Sequence, residues 1–385
     1  WLDKYAFGFW SDEEIKPEDT EGTNPNHSLV AFVDGQMAAK VDTHPFEQII
    51  RGVVKSMAGV AGVASYPEFR RRGLVRQLMQ AFFTKMRENK LSISALYPFS
   101  ERFYERFGYV TTNNNLRVKV ETKTLSHHMN LFKQDDELWS FERKRAKDHK
   151  LEWLINVREW DSMHHGFVFY TPETMPDRVW KRVSKDQHLL YVRQEGNLLA
   201  AARFHNKGFM DNGELTVKEM YWRSPEARDR LLAYLASHAD GSPFTWLPVP
   251  YGVNFHSWIN TPNMQIEAKV GFVVLMGRVV DVVGAVADLP APADGDLVID
   301  VSDAQCEWNN GRFLLHAKNG RLSATSTTQP AQCSMTIQGL SALVYGTLPV
   351  AELEYRGWIA DLTNESRTLL DAWFPEMLLY NTNHF

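Results

Sequence analysis

Three consecutive arginines and a glycine, Arg70, Arg71, Arg72 and Gly73, stand between an apolar strand and an amphipathic helix. A turn at the start of a helix presents unpaired backbone N–H groups and the positive end of the helix dipole, which together bind phosphate oxygens. Gly73 lets a diphosphate approach the backbone, and the arginines add bidentate donors. A merely solvated basic turn is the alternative, but clustered cations at that end of a dipole favour anion binding.

A second group of candidates lies in the run FYERFGY at residues 103–109. Ser100 predicts the start of a short helix and Gly108 its end. A tyrosine hydroxyl can give a proton to a leaving group. Tyr104 lies in the middle of this helix, and Tyr109 follows the glycine as the first residue of a strand. The residues alone leave a half-buried core tyrosine as the alternative for Tyr104.

Hydrophobic spacing predicts the elements that hold these groups. Residues 73–89 predict a helix with one apolar face. Asp34 and Gly35 are typical of a hairpin turn. The predicted strands of this first unit are residues 28–34, 36–42, 49–65, 93–97 and 115–120, the last of which closes the unit.

The remainder of the chain repeats this order once and then changes. Residues 132–160 predict a helix, and three strands and a helix over residues 189–238 suggest a remote duplication. The turn corresponding to the arginine turn, residues 220–228, lacks glycine and carries Glu226 at the helix start, so we interpret it as structural. Residues 289–296 predict a linker, and a small α+β domain follows.

Composition limits the classes of protein. A length of 385 residues predicts two or three domains, and a net charge of −5 gives no basic field for nucleic acid. No apolar run reaches the ~18 residues of a membrane helix. Two cysteines favour a reducing compartment, so we expect a cytoplasmic protein. The chain begins at Trp1 without Met, so we expect its true start and first strand to be missing.

The run VASYPEFRRRGL at residues 63–74 resembles the acyl-CoA signature of the GNAT acetyltransferase superfamily, in which Arg or Gln, two residues, Gly, one residue and Gly or Ala follow the fourth strand. Arg70 and Gly73 match, whereas Val75 replaces the last Gly or Ala and leaves less room for a phosphate. Together with FYERFGY, this run resembles the Eis (enhanced intracellular survival) family.

The resemblance implies an α+β fold with two tandem mixed-sheet GNAT domains, the second degenerate, followed by a domain like sterol carrier protein. We expect boundaries at residues 1–130, 131–284 and 285–385. It also implies acetyl-CoA as cosubstrate, no metal, and a homo-oligomer, a hexamer in that family. The implied reaction is acetyl transfer to a primary amine on a small molecule, an aminoglycoside-like compound or a lysine.

The resemblance also implies a role for each matched residue. Val63 and Ser65 would offer strand backbone groups to the pantetheine arm of the coenzyme. Tyr104 would protonate the departing thiolate. The remaining matches would hold the diphosphate, and these are Arg70, Arg71, Gly73 and the amides around Leu74.

The proton acceptor is implied by the family ending. In Eis-like proteins the C-terminal carboxylate reaches the first domain, and here Phe385 carries it. An α-carboxyl has an ordinary pKa of about 3.3–3.7 and is ionised at neutral pH. His384 is the second candidate, and Glu68 and Glu101 are less suited because they belong to the phosphate turn and a helix start.

Other patterns are weaker. The pairs His127-His128 and His164-His165 lack a third ligand at metal spacing, so surface histidines are expected. A cluster of aromatic residues beside acidic ones either lines an amine pocket or packs as an amphipathic helix, and its members are Tyr5, Phe7, Phe9, Trp10, Asp12, Glu13 and Glu14. A non-catalytic acyl-CoA or lipid-binding sensor, or a scaffold, is the alternative function.

Overall fold

The computed structural model describes residues 1–8, 24–112, 116–132, 138–158, 164–171, 174–250, 252–259, 267–270 and 274–383. The chain divides into two compact units. The first contains Trp1–Thr112 and Val274–Met377, and the second contains Asn113–Val273 and Leu378–Asn383. The first unit is therefore built from two separate stretches of sequence.

The first stretch of the first unit carries the predicted hairpin and the amphipathic helix. Its helices are α1 (Leu2–Ala6), α2 (Leu74–Glu88) and α3 (Glu101–Glu105). Its strands are β1 (Ser28–Val33), β2 (Gln36–Ile50), β3 (Val53–Ser65), β4 (Ile93–Leu96) and β5 (Val110–Thr111).

The second unit begins with a strand and a ten-residue 3-10 segment, Thr122–Leu131. Its helices are α4 (Lys150–Arg158), α5 (Asp177–Val183) and α6 (Pro225–Ala236). Its strands are β6 (Leu116–Glu121), β7 (Trp139–Arg145), β8 (Val168–Phe169), β9 (His188–Gln194), β10 (Asn197–Lys207), β11 (Glu214–Trp222), β12 (Phe244–Val249) and β13 (Glu267–Val270).

The second stretch of the first unit alternates strands and helices. Its helices are α7 (Val282–Val286), α8 (Ile337–Tyr345), α9 (Val350–Tyr355) and α10 (Asn364–Trp373). Its strands are β14 (Met276–Val279), β15 (Gly295–Ser302), β16 (Gly311–Lys318), β17 (Arg321–Ser326), β18 (Cys333–Thr336) and β19 (Ile359–Ala360).

The main sheet of the first unit runs in the order β1-β2-β3-β4-β14-β5. β3 and β4 are parallel, and β14 is antiparallel to both β4 and β5. One face is covered by α2, which buries Leu78, Met79, Phe82, Phe83 and Met86 as its apolar spacing predicts. The strand between β4 and β5 thus comes from the second stretch of the chain, which its short sequence did not reveal.

The sheet of the second unit corrects two predictions. Its order is β13-β6-β12-β11-β10-β9-β7. Residues 116–121 therefore pair within this sheet rather than closing the first one. Residues 139–145 form the edge strand β7, so the helix predicted over residues 132–160 is wrong for this segment. The charged run from Glu142 to Arg145 is largely exposed because β7 is an edge strand, and a run of this kind also fits a solvated helix.

The second stretch adds a separate sheet to the first unit, ordered β17-β16-β15-β18-β19. α8 is almost wholly buried and packs on β14. A side chain at Gly277 would collide with the ring of Tyr345, so this glycine permits the close approach. Mixed and antiparallel sheets with helices confirm the α+β class. Among the described residues, no helix is both long and apolar enough to cross a membrane.

Candidate functional site

β3 and β4 separate before β3 ends. Their parallel pairing runs only as far as Val60 opposite Leu96. On its other edge β3 continues alongside β2 until Ser65 pairs with Ala39. The last residues of β3 therefore have one paired edge and one open edge, and the open edge can bind an extended ligand.

The direction of the backbone groups identifies which residues face the opening. The Tyr66 N–H donates to the Ala38 carbonyl on β2 at 3.1 Å. Because these groups alternate between the two edges along a strand, Val63 and Ser65 point away from β2, toward the opening. The Ser65 carbonyl accepts a bond from Arg70 Nε at 3.3 Å. The strands are thus separated around Val63 and Ser65, the two residues whose backbone groups the resemblance assigns to the pantetheine arm.

A bulge shapes this end of β3. The register of β2 against β3 shifts between Lys40 and Asp42. Gly62 lies opposite with a φ of +56°, and a side chain there would collide with the Asp42 carboxylate. That carboxylate bonds Lys40 at 2.7 Å, and Lys40 also bonds Asp3 of α1 at 2.5 Å. Gly62 therefore allows an ion-paired cluster to join α1 to the strand.

The arginine turn leads into an uncapped helix. Gly73 is the N-cap of α2 with a left-handed φ of +77°, no side chain caps the helix, and no acid lies in its first turn. The first helical bond is donated by Gln77 to the Gly73 carbonyl. The amides of Leu74, Val75 and Arg76 therefore remain free for an anion, as the sequence predicts.

A cavity of about 770 Å³ joins the open strand edge to this turn. Its volume lies in the usual range of ligand sites. Within the described part of the chain, no acidic side chain lines it. The residues predicted to bind the coenzyme that line it are Val63, Ser65, Arg70, Arg71, Gly73 and Leu74. Phe7, from the predicted aromatic cluster, also lines it. The others are Ala6, Ala64, Phe69, Val75, Arg76, Phe99, Phe103, Arg106, Phe107 and Gln305.

Tyr104 lies directly behind this wall. Its side chain is 2% exposed, and its ring centroid is 5.4 Å from that of Phe99 and 5.0 Å from that of Phe103. Burial, together with the neighbouring Tyr109, raises the pKa of Tyr104 above its ordinary value. The phenol is therefore neutral at physiological pH and retains a proton that it can donate.

The end of α3 is fixed by a glycine cap and a buried ion pair. The N–H groups of Gly108 and Tyr109 donate to the carbonyls of Glu105 and Tyr104, with Gly108 at a φ of +84°. This is the cap that the sequence predicts. Arg278 of β14 donates to the Phe107 carbonyl and pairs with Asp303 at 2.5 Å, where both side chains are fully buried.

Sequence reasoning missed the contribution of a loop after β15. Gln305 lines the cavity, and its Nε2 donates to the Arg106 carbonyl at 3.2 Å. The Asp303 carboxylate accepts the N–H groups of Gln305 and Cys306 at 2.9 and 3.2 Å. Nothing in the local sequence marks this loop, because its partners lie about 200 positions away and are matched only by the sheet topology.

Some candidates lie elsewhere. His384 and Phe385 are outside the described residues, as are Phe9, Trp10, Asp12, Glu13 and Glu14. Glu101 accepts a bond from the Thr111 hydroxyl at 2.6 Å. His127 bonds the backbone carbonyl of Thr124, and His128 bonds that of Trp258. The expected surface position is confirmed for His127 but is wrong for the other histidines of the two pairs, because His128 and His165 are buried and His164 is half-buried.

In the second unit two strands, β11 and β12, also separate, but a side chain of the same unit occupies the gap. β11 pairs with β12 only from Glu214 to Thr216, so the rest of β11 has an open edge. There the Tyr380 hydroxyl donates to the Met220 carbonyl at 2.9 Å. The following helix, α6, is capped by the Ser224 side chain and has Glu226 in its first turn. The cleft is thus occupied by the chain itself, and the helix start offers no free anion site.

Comparison with known proteins agrees with this geometry. Residues 2–112 match the sequence model of the acetyltransferase (GNAT) domain, and residues 282–378 match that of the sterol carrier protein domain. An uncharacterized N-acetyltransferase of Streptomyces avermitilis is 19% identical, over 83% of this chain and 81% of its own.

Solved structures share the fold over nearly the whole chain. A GCN5-related N-acetyltransferase from Anabaena variabilis superimposes with a TM-score of 0.83 at 18% identity, covering 100% of this chain and 96% of its own. One from Kribbella flavida gives 0.76 at 22%, covering 96% and 89%. Eis1 from Mycobacterium abscessus gives 0.79 at 17%, covering 100% and 96%.

The two domain matches and the strand separation beside an uncapped helix start agree with one another. The GNAT family uses acetyl-CoA as its cosubstrate. The chain is therefore an acetyltransferase enzyme that carries an N-terminal GNAT domain and a C-terminal sterol carrier protein domain, and it shares its fold with Eis1.

Proposed function

We propose that this enzyme moves the acetyl group of acetyl-CoA to a primary amine, with the coenzyme in the cavity of the first unit. The observation that carries the proposal is the open edge of β3 at Val63 and Ser65 leading into the uncapped start of α2. The strand groups would hold the pantetheine arm. Arg70, Arg71 and the free amides after Gly73 would hold the diphosphate.

The chemistry requires two proton transfers. The neutral amine attacks the thioester carbonyl, the C–S bond breaks, and the leaving thiolate takes a proton from the Tyr104 hydroxyl. The acceptor nitrogen loses a proton, and we propose the carboxylate of Phe385 as the group that receives it, directly or through water. The products are the amide and the free thiol of CoA.

The proposed acceptor classes are those that the resemblance implies. A small-molecule polyamine-like compound, an aminoglycoside-like compound and a protein lysine each present a primary amine. A panel containing one member of each class, assayed by release of CoA thiol, tests the proposal. We expect at least one amine to accelerate thiol release in the parent enzyme and to do so much less in Tyr104→Phe. Release that no amine accelerates would contradict amine acetylation.

The assembly belongs to the proposal as well. On the resemblance to Eis-like proteins, we propose a cytoplasmic homo-hexamer. Light scattering coupled to size exclusion gives the mass of the particle, and a mass of one chain would contradict the hexamer.

A further inference from the structure

The cavity holds more positive charge than the arginine turn supplies. Arg76, in the first turn of α2, and Arg106, just after α3, also line it. Both side chains are exposed. Neither forms an ion pair with a carboxylate anywhere in the described ranges of the chain. Two uncompensated cations facing one cavity are typical of an anion site.

A chain of contacts brings these two arginines to the same wall. Arg76 and Gln80 are four residues apart on α2, so their side chains are neighbours. Gln80 Nε2 donates to Gln305 Oε1 at 3.2 Å, and Gln305 Nε2 donates to the Arg106 carbonyl at 3.2 Å. Gln305 therefore links α2, which carries Arg76, to Arg106 at the end of α3.

The position of this wall relative to the arginine turn suggests its ligand. Arg76 lies three residues beyond Gly73, about 4.5 Å along the helix axis. In acetyl-CoA, one ribose ring separates the 5′-diphosphate from a phosphomonoester on the 3′-oxygen. A phosphomonoester carries a charge of about −1.5 to −2 at pH 7, and arginine binds it with two parallel hydrogen bonds.

We propose that Arg76, Arg106 and Gln305 form a subsite for the 3′-phosphate of the coenzyme. This inference rests on the proposed function, because it assumes that acetyl-CoA occupies the cavity. The subsite makes the enzyme selective for coenzyme A over its 3′-dephospho form. No acidic side chain among the described residues opposes the ligand.

Through Gln305, the second stretch of the first unit contributes to the 3′-phosphate subsite. Asp303 accepts the backbone N–H of Gln305 and pairs with buried Arg278, so the loop is held before any ligand binds. A residue fixed in advance loses little conformational entropy on binding. The sterol carrier protein domain thus contributes directly to coenzyme selection through a neutral amide.

The test compares acetyl-CoA with acetyl-3′-dephospho-CoA by calorimetry on the full chain. We expect the parent to prefer acetyl-CoA by about 10- to 100-fold, the usual value of a hydrogen bond between charged groups. Arg76→Gln and Arg106→Gln should lose most of this preference while binding the dephospho form as the parent does. Gln305→Glu should weaken acetyl-CoA more than its dephospho form, because a carboxylate would face the phosphate.

Arg102→Gln is the matched control, since Arg102 is exposed on α3 but does not line the cavity. It should keep the preference of the parent. Equal binding of the two coenzymes by the parent, or an equal loss of both in Arg76→Gln and Arg106→Gln, would overturn the 3′-phosphate subsite and leave the proposed function standing. Failure of both coenzymes to bind the parent would instead contradict the proposed function.

Discussion

The Tyr109 hydroxyl lies 2.7 Å from the Ser94 hydroxyl, and this bond separates the roles of the two tyrosines in the FYERFGY run. Ser94 donates its single proton to the Ala58 carbonyl at 2.8 Å, so Tyr109 must donate to Ser94. The Tyr109 proton is therefore committed to the core between β3 and β4. Tyr104, whose ring packs against two rings of the cavity wall, is the better candidate for the acid.

Tyr104→Phe should retain the affinity for acetyl-CoA and lower kcat by about 10²–10⁴, the usual contribution of general acid catalysis. Steady-state kinetics and calorimetry measure the two quantities. Tyr109→Phe is the control. It should cost about 1–2 kcal/mol of stability, because Ser94 loses its donor, with a kcat near that of the parent. The opposite pattern would assign the acid to Tyr109.

Arg70→Glu should weaken acetyl-CoA binding by about 10- to 100-fold, because a carboxylate would replace a guanidinium beside the diphosphate. Arg72→Glu makes the same change of charge in the same turn. Arg72 stacks on Phe69 at 5.3 Å and does not line the cavity, so its effect should be several-fold smaller. Equal affinities for Arg70→Glu and the parent would refute the phosphate turn.

Acetyl-CoA should bind at one site per chain. The cleft of the second unit holds Tyr380, and its helix start is already capped by Ser224. Tyr380→Ala should still give one site, because Glu226 would still repel a diphosphate and Ser224 would still cap the helix. Calorimetry measures the stoichiometry in both proteins. Two sites in the parent would contradict this expectation.

His164 should make the protein less stable in mild acid. Burial lowers the pKa of His164 to about 4, and its ring lies 4.9 Å from that of Tyr380. Below about pH 6.5 the imidazole of His164 is protonated in the unfolded chain but stays neutral in the folded protein. The free energy of unfolding is therefore fully present above that pH and decreases as the pH falls toward 4.

His164 should contribute about 1–2 kcal/mol to the stability lost between pH 7 and pH 5, allowing for the partial exposure of the ring. Urea unfolding at the two pH values measures it. His164→Gln should lose less than the parent, whereas His256→Gln, a change at an exposed histidine, should behave as the parent does. Identical pH dependence in all three proteins would show that His164 is protonated in the fold.

The proposed role of Phe385 can be tested by moving its carboxylate. A Gly-Ser extension after Phe385 should leave acetyl-CoA binding unchanged and remove most acetyl transfer, because the carboxylate no longer reaches the amine. Phe385→Ala keeps the carboxylate at the same position in the chain and should retain activity. Full activity in the extended protein would exclude the terminal carboxylate, and an inactive His384→Ala would favour His384.

Local patterns predicted the parts of the site that local physics determines. The hairpin at Asp34-Gly35, the apolar face of α2 and the cap at Gly108 each depend on residues a few positions apart, and each is present. β14, with four residues, and the Gln305 loop depend on partners 165 to 225 positions away. No local periodicity encodes such pairing, because register and neighbours are set only when the sheet assembles.

Dependence on distant partners also explains why β6 was predicted in the first sheet, although it pairs in the second. The alternation over residues 116–121 correctly predicts a strand, but alternation identifies a buried face and not the sheet that buries it. The sequence likewise predicted the degraded turn at Glu226, which depends on neighbouring residues. It did not predict the hydrogen bond from Tyr380 to the Met220 carbonyl, because those residues are 160 positions apart.

The place of β14 between β4 and β5 has a consequence for how the protein is made. A ribosome completes β5 about 165 residues before it completes β14, which at 5–20 residues per second is a delay on the order of ten seconds or more. During that interval the nascent GNAT sheet has an unfilled gap with exposed backbone donors and acceptors. The hydrogen bonds of the GNAT sheet are therefore completed only after the second unit has emerged from the ribosome. A stalled or truncated chain would remain accessible to chaperones and proteases.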